Sequence, residues 1–251
     1  MSQSPMGIAL PRLTPAVKVL LIGNIALYAL LGVTGRFLPQ LGEILLDGLA
    51  LSWAGIVSFK LWTLLSYSLL HNLADFFHLF FNLLLIYFFG PTLEGRWGSR
   101  RFVIFYFSGA LGGGLAFIAF NLLLGSGALL VGASGAVLAL IIAWGILFPN
   151  LPVYLFGVLP LKGKHLILLT VGVELLLAVS QTPVSSAAHF GGMATGALLV
   201  TGYWRPSKLW ARLGFKLKVP IARKGRRKTP KFTVVINPDD DDKAPPGGWV
   251  H

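Results

Sequence analysis

Runs of apolar residues with at most one charge, close to the length of a bilayer crossing, constrain this chain more than any other feature. Lipid offers no partners for backbone N–H and C=O groups. A segment of about 20 apolar residues therefore crosses as a helix, which pairs its own backbone. Six such runs stand out, at about residues 16–33, 76–93, 102–124, 129–148, 166–180 and 185–203. Composition agrees with them. The 251 residues are 55% hydrophobic and only 12% charged, with mean hydropathy +0.75, and a soluble domain would need far more polar surface. The expected fold class is all-α: a polytopic membrane bundle of six helices over residues 16–204. A short segment at 1–15 precedes it and a tail at 205–251 follows. No convincing internal repeat is visible.

The basic residues orient this bundle. With the N-terminus in the cytoplasm, nineteen of the twenty-one Lys and Arg fall on inside segments, and only Arg36 and Lys60 lie outside. The inverted arrangement would reverse the ratio, so both termini are expected to be cytoplasmic. The net charge of +12 follows this topology and gives no argument for nucleic acid. The basic part of the tail suits anionic headgroups or serves as a topology anchor. Asp239, Asp240, Asp241 and Asp242, followed by Pro245-Pro246-Gly247-Gly248, read as a solvated, disordered acidic run. Residues 36–66 are amphipathic and are expected to lie at the interface. The first thirteen residues do not read as a signal peptide. With no cysteine present, disulfides, cysteine nucleophiles and thiolate metal sites are excluded.

Strongly polar residues inside apolar spans are expensive, and each is a functional-site hypothesis. His71 precedes the second span. His78 and Asn82 sit within it at i and i+4, on one face. Ser134 opens the fourth span inside Val131-Gly132-Ala133-Ser134-Gly135, and His189 lies near the start of the sixth. Spans two, four and six all begin on the outer side. His78, Asn82, Ser134 and His189 therefore share one shallow depth. Plainer uses remain for each: Ser134 between glycines as a packing motif, His78 and Asn82 as interhelical hydrogen-bonding glue, His189 as a packed neutral histidine. Gly192-x-x-x-Gly196 means tight helix packing, which would also bring His189 toward Ser134. Glu94 borders a cytoplasmic loop that it is expected to hold through backbone hydrogen bonds. Glu174, mid-span, has no partner visible in the sequence. His165 lies on the cytoplasmic side, away from the other polar groups.

Together these elements resemble the rhomboid intramembrane serine proteases. The likeness rests on Gly132-Ala133-Ser134-Gly135, Ala188-His189 followed by Gly192 and Gly196, His71 with His78 and Asn82, and Glu94 with Gly98. It covers about residues 60–200. The resemblance implies Ser134 as nucleophile and His189 as general base, a dyad with no third residue; no aspartate lies in any span. It also implies an oxyanion held by the Ser134 backbone N–H with His78 and Asn82, and Phe81 at the substrate gate. His71, Glu94, Gly132, Gly135, Gly192 and Gly196 take structural roles. Three positions depart from the family pattern. Six residues separate His71 from His78, where four are usual; Thr63 follows Trp62 in place of arginine; and Leu138 stands where many members stack a tyrosine on the histidine. His189 is then expected to be held by apolar packing.

Such an enzyme needs no cofactor and no metal. Its partners are transmembrane-helix substrates and the bilayer, with no nucleic acid, and the short loops point to a bacterial inner membrane. The alternative from another class is a catalytically inactive rhomboid-like protein that binds transmembrane helices. A small transporter is disfavoured, because the polar groups cluster at one shallow level and no inverted repeat is present.

Overall fold

The computed structural model describes residues 11–125, 127–155, 159–180 and 183–202. The first ten residues and the tail at 205–251 lie outside the described residues. Helix α1 (Pro15–Phe37) opens with proline in its first turn, where the missing N–H forfeits no hydrogen bond. A second proline starts α2 (Pro39–Leu49), which folds back on α1. Two short helices, α3 (Trp53–Val57) and α4 (Thr63–Ser66), and a 3₁₀ turn at Tyr67–Leu69 complete the connection. Each of these connecting elements is far too short to span a membrane.

The long helices follow. In α5 (Phe76–Trp97) the Asp75 carboxylate accepts from the His78 N–H at 3.1 Å and caps the first turn. Gly98, at φ +79°, turns the chain directly into α6 (Ser99–Leu124). Next come α7 (Ser134–Leu147), a hairpin of β1 (Pro152–Leu155) and β2 (Leu159–Lys162), then α8 (Gly163–Ser180) and α9 (Pro183–Thr201). The closest packing joins α6, α7 and α9. Among the described residues α1, α5 and α6 are long and apolar enough to cross a membrane, and α7 is apolar but shorter.

Three sequence expectations need correction. The all-α class misses the antiparallel hairpin. Pro149, Pro152 and Pro160 exclude a helix there, and two short strands pair the backbone instead. The fourth apolar run does not become helical at residue 129 but at Ser134. Before it, Leu130 exchanges backbone hydrogen bonds with Leu51 at 2.8 and 3.1 Å, and the Gly132 N–H donates to the Tyr67 carbonyl at 3.0 Å. With those groups satisfied elsewhere, the segment stays extended. Glu94, finally, lies within α5 rather than in a loop, and the backbone it binds is distant. Its carboxylate accepts from the Ala16 and Val17 N–H groups, both at 2.9 Å. It also accepts from Ser99 Oγ at 2.6 Å and from Thr14 Oγ1.

Glu94 therefore staples the start of α1 to the α5–α6 junction. An anion at a helix N-terminus meets unpaired N–H groups and the positive end of the helix dipole. Replacing Glu94 with alanine strands two backbone donors and two hydroxyls. We expect a loss of about 2–3 kcal/mol, read as a lower thermal midpoint in detergent, with Glu94→Gln intermediate. An unchanged midpoint in Glu94→Ala would mean the staple is unimportant.

Candidate active site

The turn before α7 is fixed by geometry that an ordinary residue cannot adopt. Gly132 has φ +127°, and a Cβ there would lie 2.7 Å from His78 Nε2 and 3.8 Å from Ser134 Oγ. The missing side chain is what lets the His78 ring sit against the Ser134 turn. The turn is anchored through Tyr67, which is almost wholly buried. Tyr67 accepts from the Gly132 N–H and donates its own hydroxyl to the Ala110 carbonyl on α6 at 2.7 Å. Ala133 is helical, at φ −73° and ψ −9°, and Ser134 is the first residue of α7. Its backbone N–H thus belongs to the first turn, which lacks intrahelical partners.

His189 comes from α9 across a helix contact at backbone distance. A Cβ on Gly192 would lie 2.1 Å from the Gly135 carbonyl oxygen, and one on Gly196 would lie 2.6 Å from that of Ala139. Only glycine lets the two backbones meet, and Gly135 contributes its own small surface to the same contact. The approach leaves Ser134 Oγ 2.7 Å from His189 Nε2. On the other side of the ring, His189 Nδ1 lies 2.7 Å from Glu174 Oε1 on α8.

The Glu174 contact overturns one expectation and resolves another. His189 is not held by apolar packing alone, because a carboxylate bonds its Nδ1. Glu174, which has no partner evident in sequence, is 5% exposed and faces inward from α8, while Val173, Leu175 and Leu176 face out. A sequence signal did exist. Glu174 lies six residues before the end of α8 and His189 six residues after the start of α9. Equal distances from the α8–α9 connection place both side chains at the same depth.

The remaining residues fall around this core. Asn82 is buried and spends one amide N–H on the His78 carbonyl at 2.7 Å, leaving its second N–H for another acceptor. Phe81 is 46% exposed and stacks on Phe77 at 6.1 Å. Phe76 and Phe80 extend this exposed aromatic face along the start of α5. His71 is 3% exposed, stands edge-on to His78 at 5.2 Å, and neither ring nitrogen has a hydrogen-bond partner among the described residues. Behind it a cavity of about 400 Å³ opens between α1 and α2, reaching Glu43, Asn72 and Val131 but not Ser134 or His189. No group of residues that could hold a metal ion occurs among the described residues. Tyr67 and the small residues Gly109, Gly112 and Gly113 of α6, which press against α7 and α9, escape sequence reading because nothing local marks them.

The Rhomboid domain family model matches residues 58–206. Similar proteins include "RHOMBOID-like protein 12, mitochondrial" of Arabidopsis thaliana, 28% identical over 171 residues, or 62% of this chain and 50% of that protein. "Putative rhomboid protease YdcA" of Bacillus subtilis is 30% identical over 151 residues, covering 58% of this chain and 68% of that one. The chain thus spans half the length of the first relative and about two thirds of the second.

Burial pushes the His71 imidazole from its ordinary 6.5 down to about 3, and the neighbouring His78 adds to this. The ring is neutral when folded but protonates near pH 6.5 once unfolded. Below that pH the unfolded state binds the extra proton, so stability falls as pH drops from about 6.5 toward 3. The thermal midpoint should decline over that window in the wild type and more shallowly in His71→Leu. Parallel declines would show that His71 contributes nothing to the acid sensitivity.

Proposed function

The chain belongs to the rhomboid family and is a multi-pass integral membrane protein, and from this we propose that it is an intramembrane serine endopeptidase. Ser134 is the nucleophile and His189 the general base. The observation that carries this assignment is the 2.7 Å contact between Ser134 Oγ and His189 Nε2. That contact is a hydrogen bond along which the proton can leave as Oγ attacks a peptide carbonyl. His189 then returns the proton to the departing amine, and water repeats the cycle on the acyl-enzyme. The carbonyl oxygen becomes negative at the N-terminus of α7. There the Ser134 N–H, the His78 ring and the free Asn82 N–H are the donors, each worth about 2.7–4 kcal/mol in the transition state.

Depth accounts for the supply of water. We take α1, α5, α6, α7, α8 and α9 as six spans, with both termini cytoplasmic on the charge pattern. The 14 residues of α7 rise about 21 Å, against a hydrocarbon core of about 30 Å. Ser134 then lies several ångströms below the outer surface, at the foot of an extended segment. Irregular backbone at that depth is tolerated where protein buries it or a wet cavity adjoins it. Substrate helices would arrive from the lipid between α5 and α8, which make little contact with each other, past the exposed Phe81. The short loops fit a bacterial inner membrane.

A serine-directed fluorophosphonate should label the wild type, and Ser134→Ala or His189→Ala should abolish labelling. Label retained in Ser134→Ala would refute the assignment. A folded wild type that takes no label would favour the inactive, helix-binding alternative. A second expectation concerns the substrate. A helix shields its own carbonyls, so the segment must unwind before attack, and two glycines weaken a helix by about 2 kcal/mol. A transmembrane peptide with a Gly pair near the cut should be cleaved roughly thirtyfold faster than an all-leucine one. Equal rates would exclude a required unwinding step.

A further inference from the structure

We propose that Glu174 is a positioning residue for the reaction, acting through His189, so that the unit is Ser134–His189–Glu174 rather than a two-residue pair. The inference rests on the protease assignment above and deepens it. Its basis is geometric: His189 Nδ1 lies 2.7 Å from Glu174 Oε1 while Nε2 lies 2.7 Å from Ser134 Oγ. Both ring nitrogens are engaged, on opposite sides and by groups of opposite capacity. An ionised carboxylate can only accept, so the Nδ1 facing it carries the hydrogen. That fixes the neutral ring in the tautomer whose Nε2 has a free lone pair, the form needed to take the serine proton.

Burial makes the pairing meaningful. A carboxylate 5% exposed in the middle of an apolar helix is expensive unless paired. The rest of α8 near it is built of leucine and valine facing outward. Apolar residues would hold α8 on α7 and α9 equally well, so packing does not explain a glutamate at this position. Its partner is a ring that becomes cationic during turnover. When Oγ bonds to the substrate carbonyl carbon, its proton moves to Nε2 and the carbonyl π electrons move onto oxygen. As the tetrahedral species collapses, the C–N bond breaks and the amine nitrogen takes that proton. Glu174 neither gains nor loses a proton. Its charge opposes the transient imidazolium and its oxygen holds the ring plane toward Ser134. Leu138, one turn along α7 from Ser134, offers no polar group for this task.

The test compares the full-length protein with Glu174→Gln, Glu174→Asp, Ser134→Ala and His189→Ala, using a glycine-containing transmembrane peptide in proteoliposomes. Glutamine keeps the shape of the side chain and removes the charge. We expect kcat to fall by about two to four orders of magnitude with KM within twofold of wild type, and aspartate to recover part of the loss. In ¹⁵N-histidine NMR the wild-type His189 should be the Nδ1–H tautomer, and Glu174→Gln should lose that preference. A role confined to holding α8 would lower the thermal midpoint and leave kcat and the tautomer unchanged. Wild-type kcat in Glu174→Gln, or an Nε2–H tautomer in the wild type, would overturn the inference. The tautomer reading stands even where the glutamine variant fails to fold. Activity that survives in Ser134→Ala or His189→Ala would instead overturn the protease assignment itself, so the two failures are distinct.

Discussion

The contact of α7 with α9 at backbone distance is the interaction on which the rest of the structure depends. Gly192 rests on Gly135, and Gly196 rests on Ala139. Any side chain at Gly192 would collide with backbone that cannot yield. Where lipid surrounds helices there is little hydrophobic gain in joining them. Close van der Waals approach and buried hydrogen bonds must do it instead. Small residues supply the first, and they also set where His189 stands. Three residues before Gly192, it lies just under one helical turn from the contact and falls beside Ser134.

Asn24, Thr34, Thr63, Ser68 and Asn82 bond carbonyls three or four residues back, but three polar groupings join elements far apart in sequence. Glu94 gathers four donors, three from the start of α1 and one from the first residue of α6. Tyr67 ties the 3₁₀ turn both to α6 and to the Ser134 turn. Glu174, His189 and Ser134 form a continuous chain across α8, α9 and α7. Each left unpaired in a low-dielectric interior would carry a penalty of about 1–3 kcal/mol or more. The polar contacts therefore specify which helices are neighbours, and the apolar surface only decides that they are buried or lipid-facing. His71 stands apart, with both ring nitrogens unpartnered among the described residues.

Much of the candidate site is legible along the chain because its signals are local. Ser134 between glycines opens an apolar run, and His78 and Asn82 share a face by helical spacing. His189 sits three residues before a G-x-x-x-G element. Each requires only the helical period and the expense of polarity in lipid. Glu174 and Tyr67 are not legible in that way. Their roles depend on which atoms lie opposite them: spacing about the α8–α9 connection gives Glu174 its depth but not its partner, and nothing local marks Tyr67. The start of α7 fails for a related reason. Residues 129–133 are as apolar as the helix that follows, and pairing with Leu51 and Tyr67 keeps them out of it.

By itself, the sequence determined that this chain is a helical membrane protein with a few strongly polar side chains set in its apolar runs. Apolar runs with at most one charge permit no other arrangement of backbone hydrogen bonds. Tertiary structure alone decided that a carboxylate from α8 meets the histidine of α9 while the serine of α7 meets its other nitrogen. It also decided that a glutamate at the α5–α6 junction holds the first helix. Those outcomes turn on separations of 2.7 and 2.9 Å between atoms 15 to 78 residues apart. Hydrogen bonds at such range exist only once the packing of backbone on backbone has fixed which side chains face each other.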